Sequence, residues 1–426
     1  MDVSELREIL IKHDRWVKNH PGGVRANLSL RPMTGMKLEG INLKSAKMVG
    51  VQLNESKLRG INFVEADLFA ADLRNADLRN ADLTRSDLRG SQLRGADLSD
   101  AILFKADMRD GTLLTAGDGG SPRVANAEGT SMEMERASMR GANLSGARLA
   151  NSMISQTDLS GAILRNANLT NADLSKSVLS NADLSGADLS GTNLEGADLS
   201  RANLEDVTLK DTNMRGAKFY DVDFSKLDMR GADLTGAEIV RSVDTLPADL
   251  KKIIRDHEDW ISSFGNKGKR AVLDSVELDH VDFTGMNLSG ASITNTSLVG
   301  ARFDKGELTM TDLSGCNLFK SHFESAVMQG VNLAGADLTE AVLDLANLTP
   351  APIKDRSGNE TGRVWPSVLT EVKFAGASLQ GTQLCGAKLN GTRFNKANLR
   401  GADLSNAVMD GAQLQGAIIT EAILPH

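Results

Sequence analysis

Aromatic residues are scarce in this 426-residue chain, 4% against 41% hydrophobic residues overall. An interior short of rings has to be filled by Leu, Ala and Met, which suits a narrow core. Only two cysteines occur, so no disulfide framework is expected. No apolar run approaches the roughly 20 residues that cross a bilayer as a helix. The first residues, MDVSELREILIKHDRW, are charged throughout and carry no signal-peptide core. These features lead to the expectation of a cytoplasmic protein without membrane contact. Basic residues are outnumbered, 48 Lys and Arg against 56 Asp and Glu, for a net charge of −8. Neutralising phosphates takes clustered Lys and Arg, so direct nucleic-acid binding is not expected. Motifs for covalent, phosphate or metal chemistry are missing too: no G-x-S-x-G, no Gly-Lys-Ser/Thr loop and no H-E-x-x-H. The chain therefore reads as a non-enzymatic protein with no cofactor and no metal.

What the sequence has in abundance is a period of five. In residues 167–204 every fifth position is leucine, from Leu169 and Leu174 to Leu199 and Leu204. A small residue sits two positions before each, as at Ala172, Ser177 and Ala182, and Asn or Asp commonly sits just before it. Five fits neither the 3.6 of a helix nor the 2 of a strand. A fixed short repeat means a solenoid, which buries its apolar surface coil by coil. Gly or Asn two residues after the centre, as at Gly186, Gly196 and Asn75, suits a corner that needs permissive dihedrals. Cys316 falls in a small inward slot and Cys385 in an outward one.

The period fails in five places. Residues 1–23 follow the helical rule instead, with Leu6, Ile9, Leu10, His13 and Trp16 on one stripe and Ser4 as the expected N-cap. The stripe returns as Leu250, Ile253, Ile254, His257 and Trp260, at a constant offset of 244. After one inserted residue, Gly268, Arg270, Ala271 and Leu273 match Gly23, Arg25, Ala26 and Leu28 at 245. A helix-plus-solenoid module has been duplicated. The expected order is a cap helix over 1–23, a first solenoid over 24–244, a second helix over 245–268 and a second solenoid over 269–426. Each helix is placed to cover the apolar cross-section of a first coil. His13 with Trp16, and His257 with Trp260, read as cap packing, because one His per helix is too few for zinc. Loops interrupt the solenoids at 114–130 and 349–366; the centres flanking them, 113 and 134, 348 and 369, are 21 apart in both. The fifth place is the C-terminal stretch GAIITEAILPH, where Ile418 and Ile423 take slots usually held by Asp or Asn. It has no capping helix after it, so a homodimer through the C-terminal coils is expected.

The A-[DN]-L-x-x units, such as Ala182-Asp183-Leu184-Ser185-Gly186, resemble the pentapeptide-repeat family, bacterial in type, over nearly the whole chain outside the helices and loops. The resemblance implies an all-β solenoid, a right-handed quadrilateral β-helix with four pentapeptides per coil. The central residue and the small one two before it would point inward. Positions 20 apart would then stack, so that Asp67, Asp87 and Asp107 form a column offset by Arg89 and Arg109.

Three functional readings follow. The main one is a binding scaffold for a protein partner, with specificity in the two loops and contact residues Lys354, Asp355, Arg356, Arg363 and Trp365. The resemblance implies an alternative, since some bacterial family members mimic DNA and protect DNA gyrase. The feature that fits it is the stretch 158–238, with fourteen acidic residues against eight basic ones. The third, an enzyme with a pocket near 240–270, would need a concave polar site that flat solenoid faces do not offer.

Overall fold

The computed structural model describes residues 2–111, 114–116, 122–124, 132–224, 227–354 and 359–425. It divides into two units, Met1–Glu238 and Ile239–His426, each a right-handed quadrilateral β-helix of pentapeptides led by an α-helix. The repeat builds the coil from local rules. The residue before each centre pairs in parallel with its counterpart one coil on, as in Asn27 with Lys47 and Lys47 with Asp67. The centre donates its N–H to the next coil, Leu28 to the Lys47 carbonyl at 2.7 Å, and its carbonyl closes the corner by accepting from three residues on, Ala46 to Leu43 at 3.0 Å. Each corner needs a left-handed residue two after the centre. Gly supplies it at Gly186 (φ 68°), and Asn75 (φ 55°) and Asn171 (φ 55°) also tolerate it.

The interior follows from size. Leu169, Leu174 and Leu184 are buried with Ala167, Ala172 and Ala182 between them, so bulky and small side chains alternate around each coil. Where Ser or Thr takes the small slot, its hydroxyl must find an acceptor. Ser177, Thr192, Thr311 and Thr392 donate to the carbonyls of Ile154, Leu169, Leu288 and Leu369, each at 2.6–2.8 Å. Cys316 behaves the same way, its buried thiol facing the Ile293 carbonyl and its pKa pushed up by burial to about 11. In the second unit Phe283, Phe303 and Phe323 stack along one side at 5.1 and 4.8 Å between centroids.

Helix α1 (Val3–Val17) and helix α2 (Ala248–Ser262) each begin a unit. Ser4 lies inside α1 rather than capping it: the helix starts one residue earlier, after an extended Asp2 whose side chain makes no cap bond. Of the expected stripe, Leu6 and His13 are buried, and Ile254 and His257 in the copy. The histidines act as hydrogen-bond acceptors. His13 Nδ1 accepts the Ala26 N–H at 3.0 Å and His257 Nδ1 the Ala271 N–H at 3.1 Å, tying each helix to the first strand beneath it. Each imidazole also stacks on its Trp at 5.6 Å.

The described strands are short. Strand β1 (Leu114–Ala116) pairs antiparallel with β2 (Pro122–Val124). Strand β3 (Lys218–Tyr220) lies on the last coils of the first unit. Strand β4 (Glu238–Ser242) pairs in parallel with β6 (Val281–Asp282), and β5 (Val272–Asp274) with β7 (Ser292–Thr294). Strands β8 (Ala351–Lys354) and β9 (Glu360–Trp365) form a second antiparallel hairpin.

The stacking corrects one expectation. Glu133 lies on Gln92, 41 residues away rather than 20, while Val368 lies on Asn332, 36 away. The insertions are thus 21 and 16 residues, not equal. Met134 takes the place above Leu93, so the last centre before the first hairpin is Met108, and Leu113 lies outside the described residues.

Two tests follow from this packing. Phe303→Ala removes the middle ring of the stack and should cost the second unit about 3–5 kcal/mol, read as a lower urea midpoint. The second concerns acid. Burial, and then the cations Arg25 and Arg270, hold His13 and His257 below their ordinary 6.5, so folding disfavours their protonated forms. Burial likewise lowers His280 and His322. The unfolded chain binds these protons first, so stability present above pH 6.5 is lost as pH falls below it. The urea midpoint should drop between pH 7.5 and 5, and the double variant His13→Asn, His257→Asn should lose part of that slope.

Candidate functional site

Both hairpins leave the solenoid at corners. The first follows the side bearing Asp107 and the second the side bearing Asn347, whose counterpart in the first unit is Ile102. The two therefore sit at neighbouring corners of the duplicated module. The first exit is tight: a Cβ on Gly111 would come within 2.9 Å of Gly90 Cα. The second is anchored from several sides. Ala351 is buried, Ser367 Oγ accepts the Gly330 N–H at 2.9 Å and donates to the Thr349 carbonyl at 3.1 Å, and Pro350 packs near Gly386.

From that base β9 projects with all six residues exposed. Arg363 and Trp365 of the expected contact set lie on it, and Lys354 ends β8. Asp355 and Arg356 lie outside the described residues. Trp365 does two things at once. One edge of its indole packs over Gly330, with Cδ1 3.1 Å from where a Cβ would stand, while 53% of the residue stays exposed. Val364 beside it is 56% exposed.

Sequence reasoning missed that this tryptophan continues a ridge. Gly290, Met310 and Gly330 follow one another at the same corner, one coil apart. Trp260 of α2 comes to 3.8 Å from where a Cβ on Gly290 would stand, Trp365 covers Gly330, and Met310 between them is 40% exposed. The first unit has charge at that corner: Ser45, Glu65 and Arg85, joined by Ser45 Oγ to Glu65 at 3.3 Å and Arg85 to Glu65 at 3.9 Å. Comparing the two copies position by position was the available signal.

The carboxylates serve the fold first. Asp158, Asp173, Asp188 and Asp198 each accept the N–H two residues on, at 2.9–3.0 Å, which steadies the corner. Burial pushes Asp183 up, but hydrogen bonds from Ser185 and Arg165 outweigh it and hold its carboxyl below the ordinary range. In the first coils Asp67, Asp87 and Asp107 do stack, and Arg89 reaches Asp87 at 2.6 Å and Asp107 at 3.9 Å. Among the described residues of 158–238 no two aspartates are bridged to each other: Asn193 and Asn203 donate to Asp173 and Asp183 on neighbouring coils. The acidic surface stays charged, with its repulsion diluted.

The last coils of the first unit open, although the period runs through them unbroken. No bridge joins 203–211 to 223–231 among the described residues, and clefts of about 230 and 590 Å³ lie there, lined by Leu204 and Leu227 and by Leu209 and Gly231. Val222 and Leu227 occupy small-residue slots beside Phe224 and Met229, although a bulky residue in that slot does not by itself open a coil: Ile61 and Phe63 are both fully buried with the bridges on either side kept. At the C-terminal end the centres are no longer covered: Ile419 is 43% and Leu424 39% exposed, with Ile418 and Ile423 exposed beside them.

Among the described residues no cluster of His, Cys, Asp and Glu is placed to hold a metal ion, and no helix is long and apolar enough to cross a membrane. No curated protein matches the chain in sequence. Among solved structures it is similar to QnrB1, a plasmid-mediated fluoroquinolone resistance protein, at 19% identity over 55% of this chain and 98% of that one, with a TM-score of 0.29. HetL, a protein involved in heterocyst differentiation regulation in the cyanobacterium Nostoc sp. PCC 7120, is 20% identical over 99% and 98%, with a TM-score of 0.14. The protein alr5209 of the same cyanobacterium is 33% identical over 24% of this chain and 84% of its own, with a TM-score of 0.15. Scores this low carry no functional argument. The pentapeptide-repeat profile, by contrast, matches from residue 46 to 110, 134 to 236, 269 to 349 and 367 to 424, well over half of the chain. With the 20-residue coil in view, the chain belongs to the pentapeptide-repeat family.

Proposed function

We propose that this is a binding protein that presents the β8–β9 hairpin and the ridge beside it to a protein partner. The observation that supports this reading best is Trp365, fixed on Gly330 by one edge and free over half its surface. A rigidly seated, half-exposed Trp next to an exposed Met is the composition that dominates interface energetics. Arg363 and Val364 lie next to it on β9, Lys354 ends β8, and Asp355 and Arg356 complete the contact set in the sequence between the strands. A two-stranded hairpin is marginal in water, and the anchoring of Ala351 and Ser367 lets this one persist with free edges. A catalytic centre near 240–270 gains no support from the residues there, since the buried His257 has its Nδ1 committed to Ala271. Replacing 350–366 by plain repeat should abolish capture of the partner from the native cell, and Trp365→Ala should weaken it at least about tenfold. Undiminished capture by both variants would remove the hairpin from the function.

A second reading has one observation in its favour, the excess of carboxylates over 158–238. On it, the acidic coils of the first unit bind a type II topoisomerase in place of DNA. Added protein should then protect gyrase supercoiling from a quinolone, and changing Asp173, Asp183, Asp188 and Asp198 to Asn should abolish protection while the fold, judged by circular dichroism, is kept. Supercoiling that stays fully inhibited with the unaltered protein present rejects this reading.

A further inference from the structure

A coil inside a solenoid bonds to its neighbours along both edges, but one coil of the first unit bonds along only one over part of its length. Residues 202–211 are built like the coils before them. Asn203 and Thr208 donate to the Ala182 and Ala187 carbonyls at 2.9 and 3.0 Å, and the corners at Asp206 (φ 57°) and Asp211 (φ 55°) are formed. On the other edge the Leu204 and Leu209 N–H groups meet no carbonyl among the described residues, and the Ala202 and Val207 carbonyls accept from no N–H there. One coil earlier the same four positions are engaged: Leu184 and Leu189 donate at 2.9 Å, and Ala182 and Ala187 accept.

The opening is a slit with closed ends. The Arg201 N–H reaches the Tyr220 carbonyl at 2.7 Å before it, and the Met214 N–H the Asp233 carbonyl at 2.8 Å after it. Between these ties lie the clefts of about 230 and 590 Å³, the larger on the side of Thr208. Leu204 and Leu209 stay buried at its floor, so the part left open is backbone edge and not core. The half-buried Leu227 lies on the far wall. Asn203 and Thr208 are exposed, where Asp183 and Asp188 one coil earlier are half-buried.

An edge that offers carbonyl, N–H, carbonyl and N–H in turn is matched by the backbone of another polypeptide. The side chains of an added strand alternate, one toward the floor and the next outward. Here the floor is apolar and the rim is acidic. Residues 203–211 and 223–231 hold five carboxylates, Glu205, Asp206 and Asp211 among them, against three cations. Asp228 is taken by Arg230 at 2.6 Å, while Glu205, Asp206 and Asp211 have no ion pair among the described residues. A strand that alternates apolar and basic residues complements both floor and rim.

We infer that the slit at 202–211 binds an extended segment of a partner protein, alternating apolar and basic residues, which adds as a strand to this edge. Its backbone supplies the bonds that Ala202, Leu204, Val207 and Leu209 lack. Its apolar side chains lie toward Leu227, and its cations meet Glu205, Asp206 and Asp211. The site belongs to the first unit and is independent of the β8–β9 hairpin.

A blocked heptapeptide of alternating Lys and Val, added to the full chain, tests this with amide hydrogen exchange as the readout. Without peptide, the Leu204 and Leu209 amides should exchange at least about a hundredfold faster than the bonded amides of Leu184 and Leu189. With peptide at up to about 1 mM, both should slow at least about fivefold. A Glu–Val counterpart should leave them unchanged, as should a peptide with the same Lys and Val arranged in two blocks. Asp206→Lys together with Asp211→Lys should weaken binding roughly tenfold. Such corners accept lysine, as Lys176 does at φ 56°, so the fold should be kept, judged by circular dichroism. Leu204 and Leu209 amides as slow as that of Leu184 in the free protein would mean a closed edge and overturn the inference. So would protection that fails to appear at the highest peptide concentration, that either control peptide gives equally, or that survives the charge reversal undiminished.

Discussion

Most sides of a coil hold one bulky and one small side chain while the backbone bonds to the coils above and below at a step of 20 residues. Leu184 with Ala182, bridged through Asp183 to Ile163 and Asn203, shows the arrangement. The ladder fixes the spacing between coils, and the interior it leaves is filled most often by a bulky centre beside Ala, with Ile61 and Val372 among the larger residues that the same slot takes at full burial. Leu227 in a small slot coincides with the absence, among the described residues, of bridges between 203–211 and 223–231, and with the clefts there.

The same ladder decides what the surface can say. The position before each centre must support a corner, and Asp or Asn does so by accepting the N–H two residues on, as Asp198 does from Ser200. Much of the negative charge is therefore present for architecture, and its display to a partner is secondary. Information has room only where the repeat is suspended: at an insertion, at a corner released from the charge pattern, or at an end. The second unit uses a corner and an insertion together, with Met310 and Trp365 where the first unit keeps Glu65 and Arg85. The cap, by contrast, is retained in both copies down to the imidazole accepting a backbone N–H, since any first coil needs its open cross-section closed.

The five-residue period, the cap helices and the duplication were legible in the chain because each residue's fate in a pentapeptide is set by neighbours within two or three positions. Leu174 is buried because Ala172 is small and because Lys176 turns the corner, and all three are visible side by side. Trp365, Arg363 and Lys354 were legible as contact residues for a similar reason, since they interrupt a pattern that is otherwise unbroken. Tertiary structure alone decided that Trp365 rests on Gly330 beside Met310 and that the two insertions leave at different corners. Those outcomes depend on residues 20 to 41 positions apart coming into register. A short local period is the same on every coil, so it cannot say which coil or which edge a distant segment will meet.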